Sequence, residues 1–227
     1  MNKRWDAPLV KTAIGGMLML ARGFPAWGRS QRAHEWLPDG ARNVPPDLAG
    51  QTMVVVGVGA IGNEIARLAR AIGLRVIGVR RSPARDWDEV DEMQPAAMLP
   101  SLLPRANWLA LACPLTDETR GLIGADALAL LPPGAGILNI ARGEVIDEPA
   151  LIAALGSGRL LGAYLDVFAE EPLPAASPLW EMPNVVISPH NSAASAGNRA
   201  RQADYFFRNL RNFAKGEPLE NEVHTAT

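Results

Sequence analysis

Cysteine is almost absent from this chain of 227 residues, in which Cys113 is the only one. A single thiol cannot form an internal disulfide, so a reducing cytoplasm is the expected compartment. An excess of charge of one sign is also lacking, because 22 Lys and Arg against 24 Asp and Glu leave a formal net charge of −2. This balance argues against binding nucleic acid through a general electrostatic attraction.

Long apolar runs and metal-binding clusters are lacking as well. No run approaches the roughly 18 consecutive apolar residues of a membrane-spanning helix, so we expect no membrane attachment. The first residues combine basic and apolar side chains as a signal peptide does, but Asp6, Pro8 and Lys11 interrupt the apolar stretch. His, Cys and acidic residues nowhere have the spacing of metal ligands, and we predict no metal. With 48% apolar and 20% charged residues, the composition is that of a soluble globular protein.

Short apolar runs alternate with helical patterns from residue 51 onward. The runs lie at 52–56, 75–79, 108–112, 136–140, 160–167 and 185–188. Continuous apolar runs are typical of strands that are buried on both faces of a parallel sheet. Strands that alternate with helices indicate right-handed crossovers. The predicted fold class is therefore α/β, a doubly wound parallel sheet of the Rossmann type with flanking N- and C-terminal helices.

The helical patterns have distinct boundaries. A first helix is predicted over about 8–22, and the proline- and glycine-rich residues 23–50 predict a long connector. Between the first two strands a second helix is predicted, which ends at a glycine. Its apolar stripe consists of Ile61, Ile65, Leu68, Ala69 and Ile72. Further helices are expected at about 124–131, 147–156 and 196–214. The last of them has an apolar side made of Ala203, Phe206, Phe207, Leu210 and Phe213.

Three spaced glycines, Gly57, Gly59 and Gly62, fit the pattern G-x-G-x-x-G. A predicted strand precedes them, a helix begins among them and a second strand follows, which is the context that this pattern requires. The first glycine allows a tight turn, the second lets a pyrophosphate approach the backbone, and the third lets the helix pack on the sheet. The helix N-terminus at Ala60 and Ile61 adds amide donors and a partial positive charge. We predict a dinucleotide site rather than a glycine-rich turn without ligand.

The end of the second predicted strand indicates which dinucleotide is bound. NAD-binding units usually place Asp or Glu there to accept hydrogen bonds from the ribose 2′-hydroxyl. This chain instead has Arg80, Arg81 and Ser82. Guanidinium groups bind a 2′-phosphate through charge-assisted hydrogen bonds, whereas a carboxylate would repel it. The alternative is a pair of solvated surface arginines, and we favour NADP over NAD.

Four further stretches, together with the glycine motif, carry a family resemblance. They are CPLTDETRGLI (113–123), NIARGEVIDE (139–148), LDVFAEEPLP (165–174) and SPHNSAAS (188–195). In their sequence and in their order along the chain, these stretches closely resemble the D-isomer-specific 2-hydroxyacid dehydrogenase family. The resemblance extends from the first helix to the C-terminus. Within that family, the arginine-serine ending is similar to the NADP-dependent glyoxylate/hydroxypyruvate reductases. The resemblance implies hydride transfer between NADP(H) and a small 2-oxo or 2-hydroxy acid.

The resemblance implies three catalytic residues. Arg142 matches the arginine that binds the substrate carboxylate, for which its fork of donors is suited; a structural ion pair is the alternative. His190 matches the acid/base histidine that protonates the carbonyl oxygen as hydride arrives, a role that suits histidine because the ordinary pKa of an imidazole lies near the operating pH. Glu171 matches the glutamate that orients this imidazole, whereas the adjacent Glu170 is interpreted as a solvated charge. His34 and His224 have no such support.

The resemblance also implies further cofactor contacts. Asp166 matches a position at the nicotinamide end of the cofactor, although a purely structural capping role is the alternative. Cys113 has no neighbouring base that would make it a nucleophile. We expect it to contact the cofactor through its backbone, in a loop that also includes Pro114 and Thr119. The expected set is completed by Ile140, Ala141, Arg142 and His190.

The glycine motif begins at residue 57, whereas members of the family carry most of a substrate domain before it. The expected parts of this chain are a linking helix and connector (1–46), a nucleotide-binding domain (47–194), and a C-terminal helix and tail (195–227). A fragment, a misassigned start and a naturally shortened relative all fit this pattern. Two functions stay open: a reductase, or a nucleotide-binding module without turnover that acts through dimerisation or a partner. The resemblance also suggests a homodimer.

Overall fold

The computed structural model of the protein describes residues 7–36 and 47–220. Its centre is a seven-stranded sheet in which every pairing is parallel, with the strand order β3-β2-β1-β4-β5-β6-β7. The strands are β1 (Thr52–Val56), β2 (Arg75–Val79), β3 (Glu92–Gln94), β4 (Trp108–Leu111), β5 (Gly136–Asn139), β6 (Gly162–Leu165) and β7 (Val185–Ile187). The predicted α/β class and doubly wound parallel sheet are confirmed.

Seven α-helices accompany this sheet in the described residues. They are α1 (Ala7–Arg22), α2 (Phe24–Ala33), α3 (Ala60–Ala71), α4 (Leu99–Leu102), α5 (Ala125–Leu130), α6 (Glu148–Gly156) and α7 (Asn198–Lys215). The five predicted helices correspond to α1, α3, α5, α6 and α7. None of the described helices is both long and apolar enough to cross a membrane.

The prediction of a continuous connector over 23–50 was wrong for its first part, which forms α2. Gly23 has a left-handed φ of 75° that separates α1 from α2, and Pro25 lies in the first turn of α2. A proline is tolerated there because the amide it lacks has no acceptor within the helix. The rest of the predicted connector includes residues 37–46, which lie outside the described residues together with 1–6 and 221–227.

Helix α1 packs against the sheet beside α3, and the buried side chains of the two helices belong to one hydrophobic cluster. The buried side chains of Val10, Ala13 and Met17 lie in one cluster with Ile65 and Tyr164. A Cβ atom added at Gly16 would come within 3 Å of the Tyr164 ring, so glycine is required for this close approach. Gly16 therefore allows α1 to pack closely against β6. A second buried cluster on the opposite face includes residues of α4, α5 and α6.

The strand order places a topological switch point between β1 and β4. β1 pairs with β2 on one side and with β4 on the other, so Val56 lies level with Val79 and Leu111. The chain segments that follow these three strands consequently emerge side by side at the carboxyl edge of the sheet. Ligands of open α/β sheets bind in the crevice outside this edge.

Helix α7 stands apart from the two core clusters. None of its residues is buried, and the predicted apolar side is exposed at Phe206, Phe207, Leu210 and Phe213. Phe206 and Phe207 contact each other edge to face at 5.6 Å between ring centroids. The amphipathic pattern of the sequence is thus present in the helix, without a neighbouring element of the described chain that buries it.

Candidate active site

The glycine turn follows β1 in a conformation that requires its glycines. Gly57 has a φ of 95°, and a Cβ atom there would lie 2.5 Å from the Cα atom of Cys113. A Cβ atom at Gly62 would lie 2.1 Å from the carbonyl oxygen of Gly57. At Gly59 an added Cβ atom meets no other atom within 4 Å. The first and third glycines thus serve packing, and the second borders open space, as close approach of a pyrophosphate requires.

Helix α3 begins at this open space. Ala60 and Ile61 form its first turn, after Gly59 as the N-cap residue. Amides of a first turn have no acceptor within the helix and carry its partial positive charge. The site therefore offers backbone donors and a favourable field to an anion.

A cavity of about 170 Å³ lies next to this turn. Among the residues that line it are Gly57, Arg80, Arg81, Cys113, Pro114 and Thr119. The structure thus brings together predicted cofactor residues from three separate loops. Burial raises the pKa of the Cys113 thiol and so keeps it neutral. Thr119 stabilises the loop after β4. Its Oγ1 accepts a hydrogen bond from the amide of Thr116 at 2.8 Å and donates one to the carbonyl of Pro114 at 2.7 Å.

Arg80, Arg81 and Ser82 follow β2 but differ in their surroundings. The Arg80 side chain is 8% exposed and pairs with Asp88, which is 4% exposed, at 2.7 Å. Arg81 and Ser82 are exposed. Asp88 was missed by the sequence analysis, because nothing in the pattern of residues 82–91 marks one acid of that loop as the partner of Arg80.

His190 and Glu171 are in direct contact. Nδ1 of His190 lies 2.7 Å from Oε2 of Glu171, and Oε1 of Glu171 accepts a hydrogen bond from the amide of Phe168 at 3.0 Å. The His190 backbone has a left-handed φ of 48°, rare for a residue with a side chain. Its imidazole is 48% exposed, so its remaining face is accessible. Glu170 is exposed, as predicted.

The Glu171 carboxyl has a pKa below its usual range. Burial is the largest influence and acts in the opposite direction, since it penalises the charged form. The hydrogen bonds from His190 and the Phe168 amide, together with the charges of His190 and Arg142, outweigh it. An ionised Glu171 accepts a hydrogen bond from the imidazole and so fixes the orientation of its ring.

Asp166 lies at the end of β6 and is 3% exposed. Its carboxylate accepts hydrogen bonds from Ser188 Oγ at 2.6 Å, from the amides of Asn191 and Ser192 at 3.1 Å, and from Ser192 Oγ. Its backbone carbonyl accepts from the His190 amide at 2.9 Å. All of these donors belong to the loop that carries His190. This geometry favours the capping alternative over a direct cofactor contact for the Asp166 carboxylate.

Arg142 follows β5 and is exposed. Its Nη1 donates to the carbonyl of Ala141 at 2.6 Å. The turn is held by Asn139, whose Nδ2 donates to the carbonyl of Arg142 and whose Oδ1 accepts from the amide of Ala141, both at 3.1 Å. The sequence analysis missed this role of Asn139, although the residue opens the motif NIARG. Ile140 and Ala141 are buried, and their amides donate to the carbonyl of Leu111 and to Oδ1 of Asn139.

A second cavity, of about 430 Å³, adjoins His190 and Glu171. Its remaining lining is mostly apolar and consists of Phe168, Pro172, Leu173, Trp180, Ile187 and Pro189. Within 7–36 and 47–220, no three His, Cys, Asp or Glu side chains come close enough to hold a metal ion. His34 caps the C-terminus of α2 and is distant in sequence from Glu171 and His190. His224 lies outside the described residues.

Comparison with known proteins relates this geometry to a family. The family model described as D-isomer specific 2-hydroxyacid dehydrogenase, NAD binding domain, matches residues 14–192. The chain is 34% identical over 222 residues to D-3-phosphoglycerate dehydrogenase of Methanocaldococcus jannaschii, covering 96% of this chain and 42% of that protein. It is 36% identical over 178 residues to glyoxylate reductase of Korarchaeum cryptofilum, covering 78% and 53%.

A solved structure agrees with this relationship. NADPH-dependent glyoxylate/hydroxypyruvate reductase of Sinorhizobium meliloti, in complex with NADP and sulfate, superimposes with a TM-score of 0.85 at 33% identity, covering 98% of this chain and 70% of that one. The chain spans about half the length of the two curated relatives. The family model covers most of the chain, including the glycine turn, Arg142, Glu171 and His190. The chain belongs to the D-isomer specific 2-hydroxyacid dehydrogenase family.

Proposed function

We propose that this chain carries the nucleotide-binding and proton-transfer parts of an NADP(H)-dependent reductase for small 2-oxo acids such as glyoxylate or hydroxypyruvate. The single observation that carries the proposal is the 2.7 Å contact between His190 and Glu171 at the carboxyl edge of a sheet that also bears the glycine turn. The name of the NADPH-dependent relative from Sinorhizobium meliloti supports the choice of cofactor and substrate class. A nucleotide-binding module has no chemical need of an imidazole oriented by a carboxylate.

NADPH held along the carboxyl edge of the sheet would supply the hydride for reduction of the carbonyl carbon of the 2-oxo acid. His190 donates its proton to the carbonyl oxygen, so that one hydride and one proton convert the ketone or aldehyde to an alcohol. Glu171 holds the imidazole in orientation, as the acid behind a catalytic histidine does. Proton transfer of this kind contributes about 10²–10⁴-fold to the rate.

Arg142 is proposed to bind the substrate carboxylate. Its exposed guanidinium can offer two parallel N–H donors to a carboxylate, which fixes the substrate as well as attracting it. Asn139 and the carbonyl of Ala141 hold the arginine and its turn in place. Because Arg142 also contributes charge at Glu171, the two groups lie within electrostatic reach of each other.

We propose that the cofactor lies along the carboxyl edge of the sheet. Its pyrophosphate would contact Gly59 and the first turn of α3 at Ala60 and Ile61, and its adenosine end would enter the cavity lined by Arg81 and Thr119. Its nicotinamide end would lie near Arg142 and His190. We also propose the boundaries 1–46, 47–194 and 195–227 for the parts of the chain, and a homodimer as its assembly.

The experiment that tests the function is the oxidation of NADPH, followed by absorbance, with glyoxylate and with hydroxypyruvate. The proposal predicts turnover that His190→Ala lowers by at least about 10²-fold while the variant still binds NADPH. An unchanged rate in this variant would assign the proton to another group. A second candidate is cofactor binding without turnover. It predicts NADPH binding and no substrate-dependent oxidation.

A further inference from the structure

Tyr164 of β6 is buried against α1, yet it carries a hydroxyl that packing alone does not require. The side chain is 2% exposed and belongs to the hydrophobic cluster that α1 and α3 share. Gly16 of α1 leaves room for the ring, and a phenylalanine would fill the same space. The hydroxyl of a buried tyrosine needs a hydrogen-bond partner, and here that partner belongs to the segment that carries His190.

A directed chain of hydrogen bonds leads from Tyr164 to Asp166. The hydroxyl oxygen of Tyr164 lies 2.7 Å from Oγ of Ser188, and Oγ of Ser188 donates to Oδ1 of Asp166 at 2.6 Å. A serine hydroxyl has a single hydrogen. Because Ser188 gives that hydrogen to the carboxylate, Tyr164 is the donor to Ser188. The chain therefore runs in one direction, from the buried ring to the carboxylate.

The register of the sheet brings these three side chains together. Tyr164 pairs with Val186 of β7, and Ser188 follows Val186 by two positions, as Asp166 follows Tyr164. The ladder continues past both strands, because the amide of Ser188 donates to the carbonyl of Leu165 at 3.0 Å. Side chains two residues apart in a strand point to the same face of the sheet. The three groups consequently meet on the face that α1 covers.

The Tyr164 hydroxyl is held in its protonated form. Burial is the largest influence on its pKa and raises it, the hydrogen bond with Ser188 lowers it, and the charge of Asp166 raises it further. The net result is a pKa above the ordinary value of 10.0. The hydroxyl is therefore available as a donor at neutral pH.

The carboxylate at the end of this chain holds the backbone on the C-terminal side of His190. Asp166 accepts hydrogen bonds from the amides of Asn191 and Ser192, both at 3.1 Å. His190 itself has a left-handed φ of 48°. A residue with a side chain keeps such a conformation only where the surrounding contacts enforce it. The hydrogen bonds to Asp166 are contacts of this kind.

Helix α1 reaches the same network at a second place. Oγ1 of Thr12 shares its hydrogen between the carbonyl of Pro8, at 2.9 Å, and the carbonyl of Ser192, at 3.1 Å. One turn further along α1, Gly16 lies against the Tyr164 ring. The helix thus contacts both the residue at which the chain begins and the loop at which it ends.

We propose that Tyr164 is a positioning residue for His190. Its hydroxyl orients the Asp166 carboxylate by way of Ser188, and the carboxylate fixes the loop from which the imidazole reaches Glu171. Tyr164 contacts no reacting atom in this role and acts only through the residues between. The proposal rests on the proposed function, in which His190 supplies the proton to the substrate.

The test observes the His190 imidazole by NMR and does not require turnover. The chain has three histidines, so isotope labelling of the histidine ring nitrogens gives few signals, and His190→Ala identifies those of His190. At about pH 9, where an ordinary imidazole is neutral, the Glu171 carboxylate should hold the ring hydrogen on Nδ1. Tyr164→Phe should lower the ratio of the Nδ1–H to the Nε2–H tautomer by about 2- to 10-fold, as expected for the loss of one hydrogen bond. Tyr205→Phe is the matched control, because Tyr205 is the other of the two tyrosines, and its hydroxyl donates to the carbonyl of Glu220 on the tail after α7. It should leave the ratio unchanged.

Variants of Ser188 test the chain at its middle link. Ser188→Ala should lower the tautomer ratio as Tyr164→Phe does, whereas Ser188→Thr keeps a hydroxyl and should retain the wild-type ratio. In the Ser188→Ala background, Tyr164→Phe should add less than about twofold, because the link is already broken. Thermal unfolding monitors folding, and Ser188→Ala, at a half-buried position, remains decisive if Tyr164→Phe does not fold. A wild-type ratio in the folded variants that lack either hydroxyl would overturn the proposal.

Turnover with NADPH and glyoxylate gives a second readout. Tyr164→Phe should lower kcat by about 2- to 10-fold and change the Kd of NADPH by less than about twofold. A lower Tm with unchanged kcat and an unchanged tautomer ratio would make Tyr164 a packing residue only and overturn the proposal. A wild-type chain without turnover, in which Tyr164→Phe still lowers the tautomer ratio, would contradict the proposed function and support the positioning of the imidazole.

Discussion

Nδ1 of His190 lies 2.7 Å from Oε2 of Glu171, across 19 positions of the chain. Two separate elements produce this contact: the loop after β7 carries His190, and the loop after β6 carries Glu171. β6 and β7 are parallel neighbours, so their carboxyl ends meet at one edge of the sheet. The Asp166 carboxylate at the end of β6 then binds the His190 loop directly, which fixes the imidazole relative to the glutamate.

The first prediction concerns the contribution of Glu171 to turnover. Glu171→Gln keeps the shape of the side chain but removes the carboxylate charge that faces Nδ1 of His190. We expect kcat to fall by about 10²–10⁴-fold, within the range known for orienting carboxylates, with little change in the Kd of NADPH. Glu170→Gln, at the adjacent exposed acid, is the matched control and should leave kcat unchanged. Equal effects of the two substitutions would contradict the assignment of Glu171.

A second prediction concerns the pH dependence of stability. The pKa of Glu171 lies below its usual value of 4.5 in the folded chain, so folding favours its ionised form. The stability that this provides is present in full above the unfolded-state pKa and is lost as the pH falls through the folded-state pKa. Urea unfolding between about pH 7 and about pH 3 should therefore show a weaker acid dependence in Glu171→Gln than in the wild type. Because Glu171 is 35% exposed, solvent screens part of the effect. Identical acid dependence in the two proteins would argue against this linkage.

The third prediction separates the glycines that pack from the glycine that borders the ligand. Gly62→Ala places a Cβ atom 2.1 Å from the carbonyl oxygen of Gly57, so it should lower the free energy of unfolding by about 1–3 kcal/mol. Gly59→Ala meets no protein atom within 4 Å, so it should leave the Tm unchanged. It should nevertheless raise the Kd of NADPH, because the added methyl group occupies the approach of the pyrophosphate. Unaltered NADPH binding in Gly59→Ala would exclude this position for the pyrophosphate.

The fourth prediction concerns the buried anchor under the His190 loop. Asp166→Asn replaces one carboxylate oxygen by an N–H donor that faces groups which themselves donate. We expect the free energy of unfolding to fall by about 1–3 kcal/mol, the cost of leaving a buried donor unsatisfied. Asp117→Asn, at an exposed position, serves as the control. Chemical denaturation of both variants measures the difference, and equal stabilities would show that these hydrogen bonds contribute nothing net.

The sequence predicts most of this fold because strands buried in a parallel sheet have continuous apolar sequences. β1, β2 and β4 have four or five consecutive apolar or glycine positions near the centre of the sheet. β3 was missed because its three residues are half-buried at the edge, where Glu92 and Gln94 are tolerated. The sequence pattern does not predict α2, because Pro25 and Gly28 are typical of a connector, although a first-turn proline starts a helix well.

The candidate site was predictable where motif order selected a residue, and not where a tertiary contact did. The choice of Glu171 over Glu170 follows from the resemblance to the family's motif D-V-F-x-x-E-P and agrees with the contact to His190. The pairing of Arg80 with Asp88 depends on how the intervening loop folds back, which neighbouring residues in the sequence do not reveal. For the same reason, the hydrogen bonds that occupy the Asp166 carboxylate could be found only in three dimensions.

The most direct test of the account is hydride transfer itself. The chain is mixed with NADPH deuterated at both C4 positions and with glyoxylate or hydroxypyruvate, and the product is analysed by mass spectrometry. The account predicts a 2-hydroxy acid that carries one deuterium on carbon, formed by the wild-type chain and not by His190→Ala. Bound NADPH without any deuterated product would contradict it and would favour a nucleotide-binding module.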